Sequence, residues 1–325
     1  MTAVTGKRTT KVHSPEPGDL PAPTKHKSGW PWTTSTPGSQ NETLQKISIV
    51  TPSFNQGKFL EETIRSVLLQ GYPNLEYIVI DGGSSDGSVD LIRKYKNHLS
   101  YWISEKDGGA ADAIAKGFRK ATGSIIGWLN SDDVYRPGTL QSVAKAFQST
   151  RDIDVVYGNT QWIDASGNVL AEKRQTPFSK SAYFYGGADL QQPSTFWTRA
   201  LYEKAGGLDP TFRAAFDTDL FFRFFQHEAR FQHIPEFLAA FRLHSDQISD
   251  VLLETCRQEI ATLRSRHLTF PVSSLRGKMI RNFARFERIF RYACQGDLPW
   301  LIGRIPDRVK SRFLREATGP KSKWI

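Results

Sequence analysis

The chain has 325 residues, of which 39% are hydrophobic, with 21 Phe and 8 Trp, so it can bury one large core or two modest ones. Its longest apolar runs are far shorter than the roughly 18 residues that a membrane helix needs. No secretory signal is recognisable in residues 1–20, and two cysteines cannot form a disulfide framework, so we expect a cytoplasmic location.

The formal charge of +10 is concentrated near the C-terminal end. Residues 250–325 contain 16 Lys and Arg against 7 Asp and Glu, whereas the rest of the chain is close to neutral. A basic tail of this kind can contact nucleic acid or anionic lipid head groups, or form a solvated helical surface. Charge alone does not choose among these three interpretations.

The chain begins with a segment rich in Pro, Thr, Ser, Gly and Lys, which predicts a disordered or loosely docked arm over residues 1–45. From Lys46 onward, short apolar strands alternate with helical stretches. The pattern predicts strands at 47–50, 77–80, 101–103 and 125–129, and helices at 58–70, 88–96, 110–121 and 137–148. This alternation predicts an α/β fold with a Rossmann-like, mostly parallel sheet flanked by helices.

Beyond residue 152 the pattern becomes mixed, with predicted strands at 155–157 and 161–163, a turn at 165–168 and a helix at 216–225. After residue 249 it is helical and basic. We therefore predict a domain over 46–249, with halves 46–150 and 151–249, followed by a basic helical C-terminal extension over 250–325.

Ligands of parallel sheets bind outside the carboxyl ends of the strands, so the loops after four predicted strands are expected to share one rim. The first loop is Thr51-Pro-Ser-Phe-Asn55 and the second is Asp81-Gly-Gly-Ser-Ser-Asp86-Gly. Their short polar side chains and glycines suit close contact with a nucleotide diphosphate. Taken alone, Asp-Gly-Gly-Ser is equally an ordinary turn before a helix.

The third and fourth loops carry most of the acidic groups on this rim. The third runs from Glu105 to Asp112 and leads into a helix with Lys116, and the fourth is Asn130-Ser-Asp132-Asp133. Adjacent carboxylates repel each other unless a cation lies beside them, and hard oxygen ligands favour Mg²⁺ or Mn²⁺. The alternative is that Asp132 caps the next turn while Asp133 is solvated.

With these motifs in order, residues 46 to about 250 resemble glycosyltransferase family 2, the inverting enzymes of GT-A fold. The motifs are Val50-Thr-Pro-Ser-Phe-Asn-Gln, Ile80-Asp-Gly-Gly-Ser-Ser-Asp-Gly-Ser, Gly123-Ser-Ile-Ile-Gly-Trp-Leu-Asn-Ser-Asp-Asp-Val, Gly206-Gly-Leu-Asp and Phe216-Asp-Thr-Asp-Leu. The resemblance covers about two thirds of the chain.

The resemblance implies a role for each loop. Donor-binding residues would be Thr51, Pro52, Ser53, Asn55, Asp81, Ser84, Asp107, Asp112, Lys116, Asn130, Ser131 and Asp132. Metal ligands would be Asp132, Asp133 and His244, with Asp133 bound directly and Asp132 shared between metal and ribose. Asp217 would be the general base, and Gln191 and Gln192 would face the acceptor. As a lone histidine, His244 is equally an ordinary structural residue.

Three positions depart from the family pattern. Asn130 replaces the usual first Asp of the metal motif, Ala115 replaces an Asn, and Phe216 replaces the Glu that often precedes the base. The first substitution leaves metal binding to Asp132 and Asp133, and the other two bear on substrate choice.

The resemblance implies transfer of a sugar from a UDP-, GDP- or dTDP-linked donor to an acceptor hydroxyl, assisted by Mg²⁺ or Mn²⁺. The sequence does not identify the acceptor, and a glycan or lipid-linked acceptor of the cell surface is a hypothesis drawn from the basic aromatic tail. The basic aromatic tail predicts attachment to an anionic membrane, at the inner face of the plasma membrane, and nucleic acid is not the expected partner. Two alternatives are a sugar-1-phosphate nucleotidyltransferase, whose Gly-rich basic first loop is missing here, and a non-enzymatic nucleic-acid-binding protein, which leaves the acidic rim unexplained.

Overall fold

The computed structural model describes residues 4–7, 14–23, 27–38, 44–185, 190–245, 247 and 252–303. The chain divides into two compact units, the first formed by residues 1–175 and 190–267 and the second by residues 176–189 and 268–325. The helix at 253–267 thus belongs to the first unit. The domain limits proposed from the sequence stay predictions.

A ten-stranded sheet forms the frame of the first unit. Its strands are β1 (Val4–Lys7), β2 (Ile47–Ser53), β3 (Leu75–Asp81), β4 (Tyr101–Ser104), β5 (Ile125–Trp128), β6 (Val134–Tyr135), β7 (Val155–Ile163), β8 (Val169–Lys173), β9 (Thr195–Thr198) and β10 (Phe231–Arg242). Their order is β1-β4-β3-β2-β5-β9-β7-β10-β6, and β8 pairs with β7. Strands β4, β3, β2 and β5 are parallel, as the alternating pattern predicts.

The helices of the first unit are α1 (Gly57–Leu68), α2 (Ser88–Tyr95), α3 (Ala110–Lys120), α4 (Thr139–Ser149), α6 (Arg199–Lys204), α7 (Phe216–Gln226) and α8 (Leu253–His267). The second unit contains α5 (Lys180–Phe184), α9 (Leu275–Cys294) and α10 (Leu298–Gly303). The predicted helices over 58–148 and at 216–225 are confirmed within a few residues. Across the described part of the chain, none of the helices combines the length and apolarity needed to cross a membrane.

Apolar packing fixes the parallel strands against the helices. Ile47 and Ile49 of β2 are buried together with Ile64 and Val67 of α1. On α3, a Cβ added at Gly117 would lie 2.4 Å from Cγ1 of Val50, so only glycine allows α3 to approach β2 this closely. The strand ends that carry the polar loops are therefore held by a packed core.

The long strand β10 was not predicted from the sequence. Pro235 lies in its middle, and the register against the parallel strand β7 shifts between Ile234 and Phe237 and again before Ala239. Proline removes a backbone donor from the hydrogen-bonded ladder of a sheet, so a proline in the middle of a segment argues against a strand there. The register shifts accommodate it.

The described parts of the N-terminal segment pack on the first unit, which their composition does not predict. The buried guanidinium group of Arg65 in α1 donates to the carbonyl oxygens of Pro21, Pro31 and Trp32 at 2.7–3.0 Å. Trp30 Nε1 donates to the carbonyl oxygen of Tyr135 at 2.8 Å. One buried guanidinium group thus donates hydrogen bonds to three carbonyl groups, which would otherwise need water as a partner.

The second unit is held by contacts between α5 and α9. The hydroxyl groups of Ser179 and Ser181 donate to Oε2 of Glu287 at 2.6 and 2.9 Å, and Glu287 also pairs with Arg291 at 2.7 Å. Near the end of α9, the rings of Tyr292 and Trp300 lie with centroids 5.5 Å apart. After residue 249, the predicted helical structure is confirmed at Leu253–His267, Leu275–Cys294 and Leu298–Gly303.

Candidate active site

The loop after β3 is built around the carboxylate of Asp81, which is fully buried. Its Oδ2 accepts from the backbone N–H groups of Gly83 and Ser84 and from the hydroxyl of Ser104, at 2.7–3.1 Å. Its Oδ1 accepts from the hydroxyl of Ser84 at 2.6 Å. Asp81 therefore joins the ends of β3 and β4 and shapes the loop beside the predicted nucleoside site.

The loop after β2 is tied to the loop after β3. Asn55 has a φ of 52°, its backbone N–H donates to Oγ of Ser84 at 2.8 Å, and its Oδ1 accepts from Ser85 N at 2.9 Å. Asp86 accepts from Gly57 N at 2.8 Å and from Ser88 N at 3.1 Å, which places one carboxylate at the first turns of α1 and α2. The first two predicted donor loops therefore form one connected edge.

The three predicted residues of β2 are less exposed than the loops. Thr51 is buried and its Oγ1 lies 3.0 Å from the hydroxyl of Tyr77, below the rim. Pro52 pairs in register with Ile80. Ser53 Oγ is buried and has no hydrogen-bond partner among the residues that the structure describes. Of the three, Ser53 is the group with unused hydrogen-bonding capacity.

The loop after β4 brings a second acidic group to the same edge. A Cβ at Gly82 would lie 3.0–3.2 Å from the carboxylate atoms of Asp107, so the backbone after β3 passes directly against this side chain. Burial raises the pKa of Asp107 above its usual value. Asp112 accepts from Gly108 N, which lowers its pKa, and it pairs with Lys116 at 3.2 Å.

Lys116 of α3 lies between two carboxylates. Its Nζ is 3.2 Å from Asp112 and 3.2 Å from Glu105. Burial opposes its charge, but the two acidic partners outweigh burial and raise its pKa. Lys116 is therefore a cation near the predicted donor loops, paired with groups of α3 and of the loop after β4.

The loop after β5 brings Asp132 and His244 together. Asp132 Oδ2 lies 3.0 Å from Nε2 of His244, which follows β10, and both side chains are largely buried. The ring of His244 packs on Phe59 of α1, with centroids 4.7 Å apart. Residues 112 positions apart in the chain thus meet at the carboxyl end of β5.

Asp133 has surroundings quite unlike those of its neighbour. Its carboxylate is fully buried, Oδ1 accepts from the backbone N–H of Arg242 at 2.9 Å, and Oδ2 lies 3.5 Å from Nδ2 of Asn130. Burial, reinforced by the charge of Asp132, raises the pKa of Asp133 well above its usual value. Direct metal ligation by Asp133 stays a prediction, whereas its observed contacts join the loop after β5 to β10.

Two residues that sequence reasoning missed hold this loop in place. Arg242, almost fully buried, donates through Nε to the carbonyl oxygen of Asp132 at 2.8 Å and pairs with Glu62 at 3.0 Å. Thr63 Oγ1 lies 2.9 Å from the carbonyl oxygen of Ser131 and 2.7 Å from that of Asp133. No local signal in the sequence marks either residue, because Arg242 ends a strand that was not predicted and both residues act through contacts with distant parts of the chain.

The predicted acceptor-side glutamines lie next to the same loop. Gln192 donates through Nε2 to the carbonyl oxygen of Trp128 at 2.7 Å, and its Oε1 is 3.4 Å from Nδ2 of Asn130. Gln191 Oε1 accepts from Nε1 of Trp162 at 3.3 Å. Gln192 therefore links the end of β5 to the segment before β9.

Asp217 lies in the first turn of α7 and is half-buried. Its Oδ1 accepts from Thr218 N at 2.6 Å. The preceding residue, Phe216, packs on the ring of Trp128 in β5 with centroids 6.0 Å apart, which places the start of α7 beside the strand that leads to Asp132. Asp219 pairs with Arg223 at 2.6 Å, so this second acid of α7 is engaged within its own helix.

A second missed feature supports the segment that carries Asp217. Glu259 of α8 accepts from three successive backbone N–H groups, those of residues 213, 214 and 215, at 2.7–3.0 Å. One helical turn earlier, burial together with the charges of Asp217 and Glu259 raises the pKa of the Cys256 thiol to about 11. The helix α8 thus fixes the approach to α7 and lies close to Asp217.

The side chains at this rim include two that could ligate the expected divalent metal. In the described ranges, no group of three or more His, Cys, Asp and Glu side chains could by itself hold a metal ion. Asp132 and His244 offer two ligand atoms 3.0 Å apart, about the separation of neighbouring octahedral ligands at 2.0–2.1 Å. Mg²⁺ and Mn²⁺ sites commonly take one or two protein ligands and fill the rest with phosphate and water. The pair therefore fits such an ion.

Comparison with known sequences gives a consistent result. The profile of glycosyl transferase family 2 matches residues 48–204. An uncharacterized glycosyltransferase of Rickettsia prowazekii (strain Madrid E) is 29% identical over 227 residues, covering 66% of this chain and 69% of that protein. An uncharacterized glycosyltransferase of Mycobacterium tuberculosis (strain CDC 1551 / Oshkosh) is 30% identical over 179 residues, covering 54% and 68% respectively.

Two solved structures share the GT-A fold with this chain. The crystal structure of residues 1–349 of S. aureus TarS matches with a TM-score of 0.54 at 18% identity, over 75% of this chain and 72% of that one. Mannosyltransferase PcManGT from Pyrobaculum calidifontis, in complex with GDP-Man and Mn²⁺, matches with a TM-score of 0.54 at 15% identity, over 88% and 79%. The predicted fold is confirmed, and the chain belongs to glycosyltransferase family 2.

Proposed function

We propose that this glycosyltransferase moves a sugar from a nucleotide-diphosphate donor to an acceptor hydroxyl by a single displacement with inversion. The observation that carries the proposal is the contact between Asp132 and His244. This contact lies at the rim where strands β2, β3 and β4 also end. Carboxylate and imidazole groups at the carboxyl ends of parallel strands suit the binding of a diphosphate with its cation.

The donor's nucleoside and diphosphate would lie along the edge formed by the first three loops. Ser53 offers a hydroxyl with unused capacity, and the backbone around Gly82 and Gly83 allows close approach. Asp81 and Ser84 keep this edge in shape through their mutual hydrogen bonds. Related folds support such a donor, since S. aureus TarS was solved with UDP-GlcNAc and PcManGT with GDP-Man.

Asp132 and His244 would hold Mg²⁺ or Mn²⁺, which when bound supplies positive charge to the departing nucleoside diphosphate. Direct ligation of the ion by Asp133 stays part of this proposal, and its carboxylate also helps to position the pair, because it accepts from the backbone N–H of Arg242, two residues before His244. The PcManGT structure contains Mn²⁺, which supports a divalent ion in this fold.

Asp217 would take the proton from the acceptor hydroxyl as that oxygen forms its bond to the anomeric carbon and the bond to the diphosphate oxygen breaks. A positioned base typically contributes about 10²–10⁴-fold to such a step. Gln191 and Gln192 would face the acceptor, for which we propose a hexosyl transfer to a glycan or lipid-linked molecule in cell-surface polysaccharide or glycolipid synthesis. A cytoplasmic location, peripheral to the inner face of the plasma membrane, stays part of this proposal.

The test is thermal unfolding with a panel of UDP-, GDP- and dTDP-sugars, each with and without Mn²⁺. A donor present at 100 times its Kd stabilises the fold by about 2.7 kcal/mol, which raises Tm by several degrees. We expect one nucleotide series to stabilise the protein in the presence of metal, and His244→Gln to reduce that shift. Stabilisation by no donor, together with tight RNA binding, would instead favour the nucleic-acid-binding alternative.

The role of Asp217 is tested separately by Asp217→Asn. This variant should keep the donor-induced shift in Tm and lose about 10²–10⁴-fold in turnover. Loss of the donor shift would remove Asp217 from the role of base. Release of pyrophosphate from a nucleoside triphosphate and a sugar-1-phosphate would point to the nucleotidyltransferase alternative.

A further inference from the structure

Helix α9 of the second unit presents an apolar stripe to solvent. Leu275, Met279, Phe283, Phe286 and Phe290 follow one another at intervals of four, four, three and four residues, which places them along one side of the helix. These five side chains are 61–75% exposed. Singly exposed apolar residues are ordinary, but a contiguous row of this length marks an interaction surface.

The opposite side of α9 explains why this stripe faces outward. The buried residues of the helix are Gly277, Ala284 and Tyr292. A Cβ at Gly277 would lie 2.0 Å from the carbonyl oxygen of Pro271, so the polypeptide backbone covers this side directly. Two of the three buried residues are small, whereas five large apolar residues face outward, which is the reverse of what a helix needs merely to pack within its own fold.

Positive charge flanks the stripe. The helix carries six Arg and Lys against one acidic residue, Glu287, which is engaged with Ser179, Ser181 and Arg291. Arg276, Lys278 and Arg285 are exposed and lie at the sides of the apolar row. Each helical residue advances about 1.5 Å, so the stripe from Leu275 to Phe290 extends over about 22 Å.

From this arrangement we propose that α9 is a membrane-docking helix that lies in the plane of an anionic lipid bilayer. The aromatic and aliphatic stripe enters the boundary between head groups and acyl chains, while the flanking Arg and Lys side chains contact the anionic head groups. This inference deepens the membrane location given under the proposed function, and its test does not depend on a donor or an acceptor.

Two other occupants fit the surface less well. A nucleic acid would contact a basic face, whereas the most exposed side of α9 carries large apolar side chains. A second copy of the chain would bring two strongly basic helices together, and their like charges would oppose association. An anionic bilayer satisfies both the apolar row and its basic flanks.

The experiment is flotation of the full chain with vesicles of phosphatidylcholine containing 30% phosphatidylglycerol, compared with phosphatidylcholine alone. We expect binding to the anionic vesicles only, and release at high salt because salt screens the head-group charge. The double variant Phe283→Ser with Phe286→Ser should lose binding at least tenfold. The matched control, Val169→Ser with Leu170→Ser, removes two exposed apolar residues of β8 in the first unit and should bind as the unmodified chain does.

A second measurement keeps the proposal testable if the double variant misfolds. Cys294, at the end of α9, is exposed, whereas burial raises the pKa of Cys256 and slows its labelling. A polarity-sensitive dye on Cys294 in a Cys256→Ser background should shift to shorter wavelength with anionic vesicles. An unchanged dye spectrum together with unchanged flotation of the double variant would overturn the proposal. So would a parent protein that does not bind vesicles but forms a dimer, if the double variant abolishes that dimer. RNA binding by the parent protein in place of vesicle binding would also overturn it.

Discussion

The hydroxyl of Thr63 provides the sharpest test of how the metal pair is positioned. Thr63 is fully buried in α1, and its Oγ1 lies within 3.0 Å of the carbonyl oxygens of both Ser131 and Asp133, the residues on either side of Asp132. Thr63→Val keeps the shape of the side chain and replaces the hydroxyl group, the hydrogen-bond donor, by a methyl group. Two buried carbonyl groups then lose the donor that they share.

The cost follows from these contacts. Leaving a buried acceptor without its donor costs about 1–3 kcal/mol, so the free energy of unfolding should fall by that amount. The segment between the two carbonyl groups carries Asp132, and loss of such outer support typically lowers metal affinity about 10–100-fold. We therefore expect Thr63→Val to weaken both the fold and the binding of Mn²⁺.

Thr63→Ser is the matched control, because it keeps the hydroxyl and loses a buried methyl worth about 1 kcal/mol. Stability alone therefore separates the two variants poorly, and Mn²⁺ affinity, measured from the electron paramagnetic resonance signal of the free ion, is the deciding assay. Serine should bind Mn²⁺ nearly as the parent does, and valine at least tenfold more weakly. Equal affinities for the two variants would refute the positioning role of the hydroxyl.

Three further predictions concern α8 and the described N-terminal segment. Glu259→Gln leaves one acceptor oxygen for three backbone N–H groups, so turnover should fall about tenfold or more while the donor KM stays unchanged, which initial-rate kinetics would check. Because the pKa of Cys256 is raised to about 11, only about one thiol in a thousand is ionised at pH 8, and iodoacetamide should modify it slowly. Asp217→Asn removes a nearby negative charge and should make the modification faster, which mass spectrometry would show. Arg65→Met should cost about 3 kcal/mol or more and expose residues 14–38 to limited proteolysis, because three carbonyl groups lose a buried donor.

Much of the parallel half of the sheet could be predicted because its signals are local. Strands β2 and β3 contain short, mostly apolar stretches at residues 47–50 and 77–80, and helices follow at the short spacing of an α/β unit. Since parallel strands end at one edge, the shared rim of their loops followed from the topology alone. The hydrogen bonds that join Asn55 to Ser84 and Ser85 agree with that expectation.

The supports of the site could not be predicted in the same way, because they depend on contacts between distant parts of the chain. Arg242 reaches the carbonyl oxygen of Asp132 across 110 positions, and Thr63 reaches Asp133 across 70. In the sequence, Thr63 looks like any other polar residue of an amphipathic helix. Pro235 argues against a strand in the segment that ends at Arg242, so β10 was not predicted. Only the assembled sheet shows that these residues share a loop.

Adjacent carboxylates at a strand end need not have the same role, and Asp132 with Asp133 illustrates why. Successive side chains leave the backbone in different directions, so one carboxylate points towards His244 while the other enters the core beneath the rim. The buried one is stabilised by the backbone N–H of Arg242, and the same arginine binds the carbonyl oxygen of Asp132. The buried Asp133 side chain therefore anchors the backbone around Asp132, so two adjacent acids that look alike in the sequence have different surroundings and different contacts.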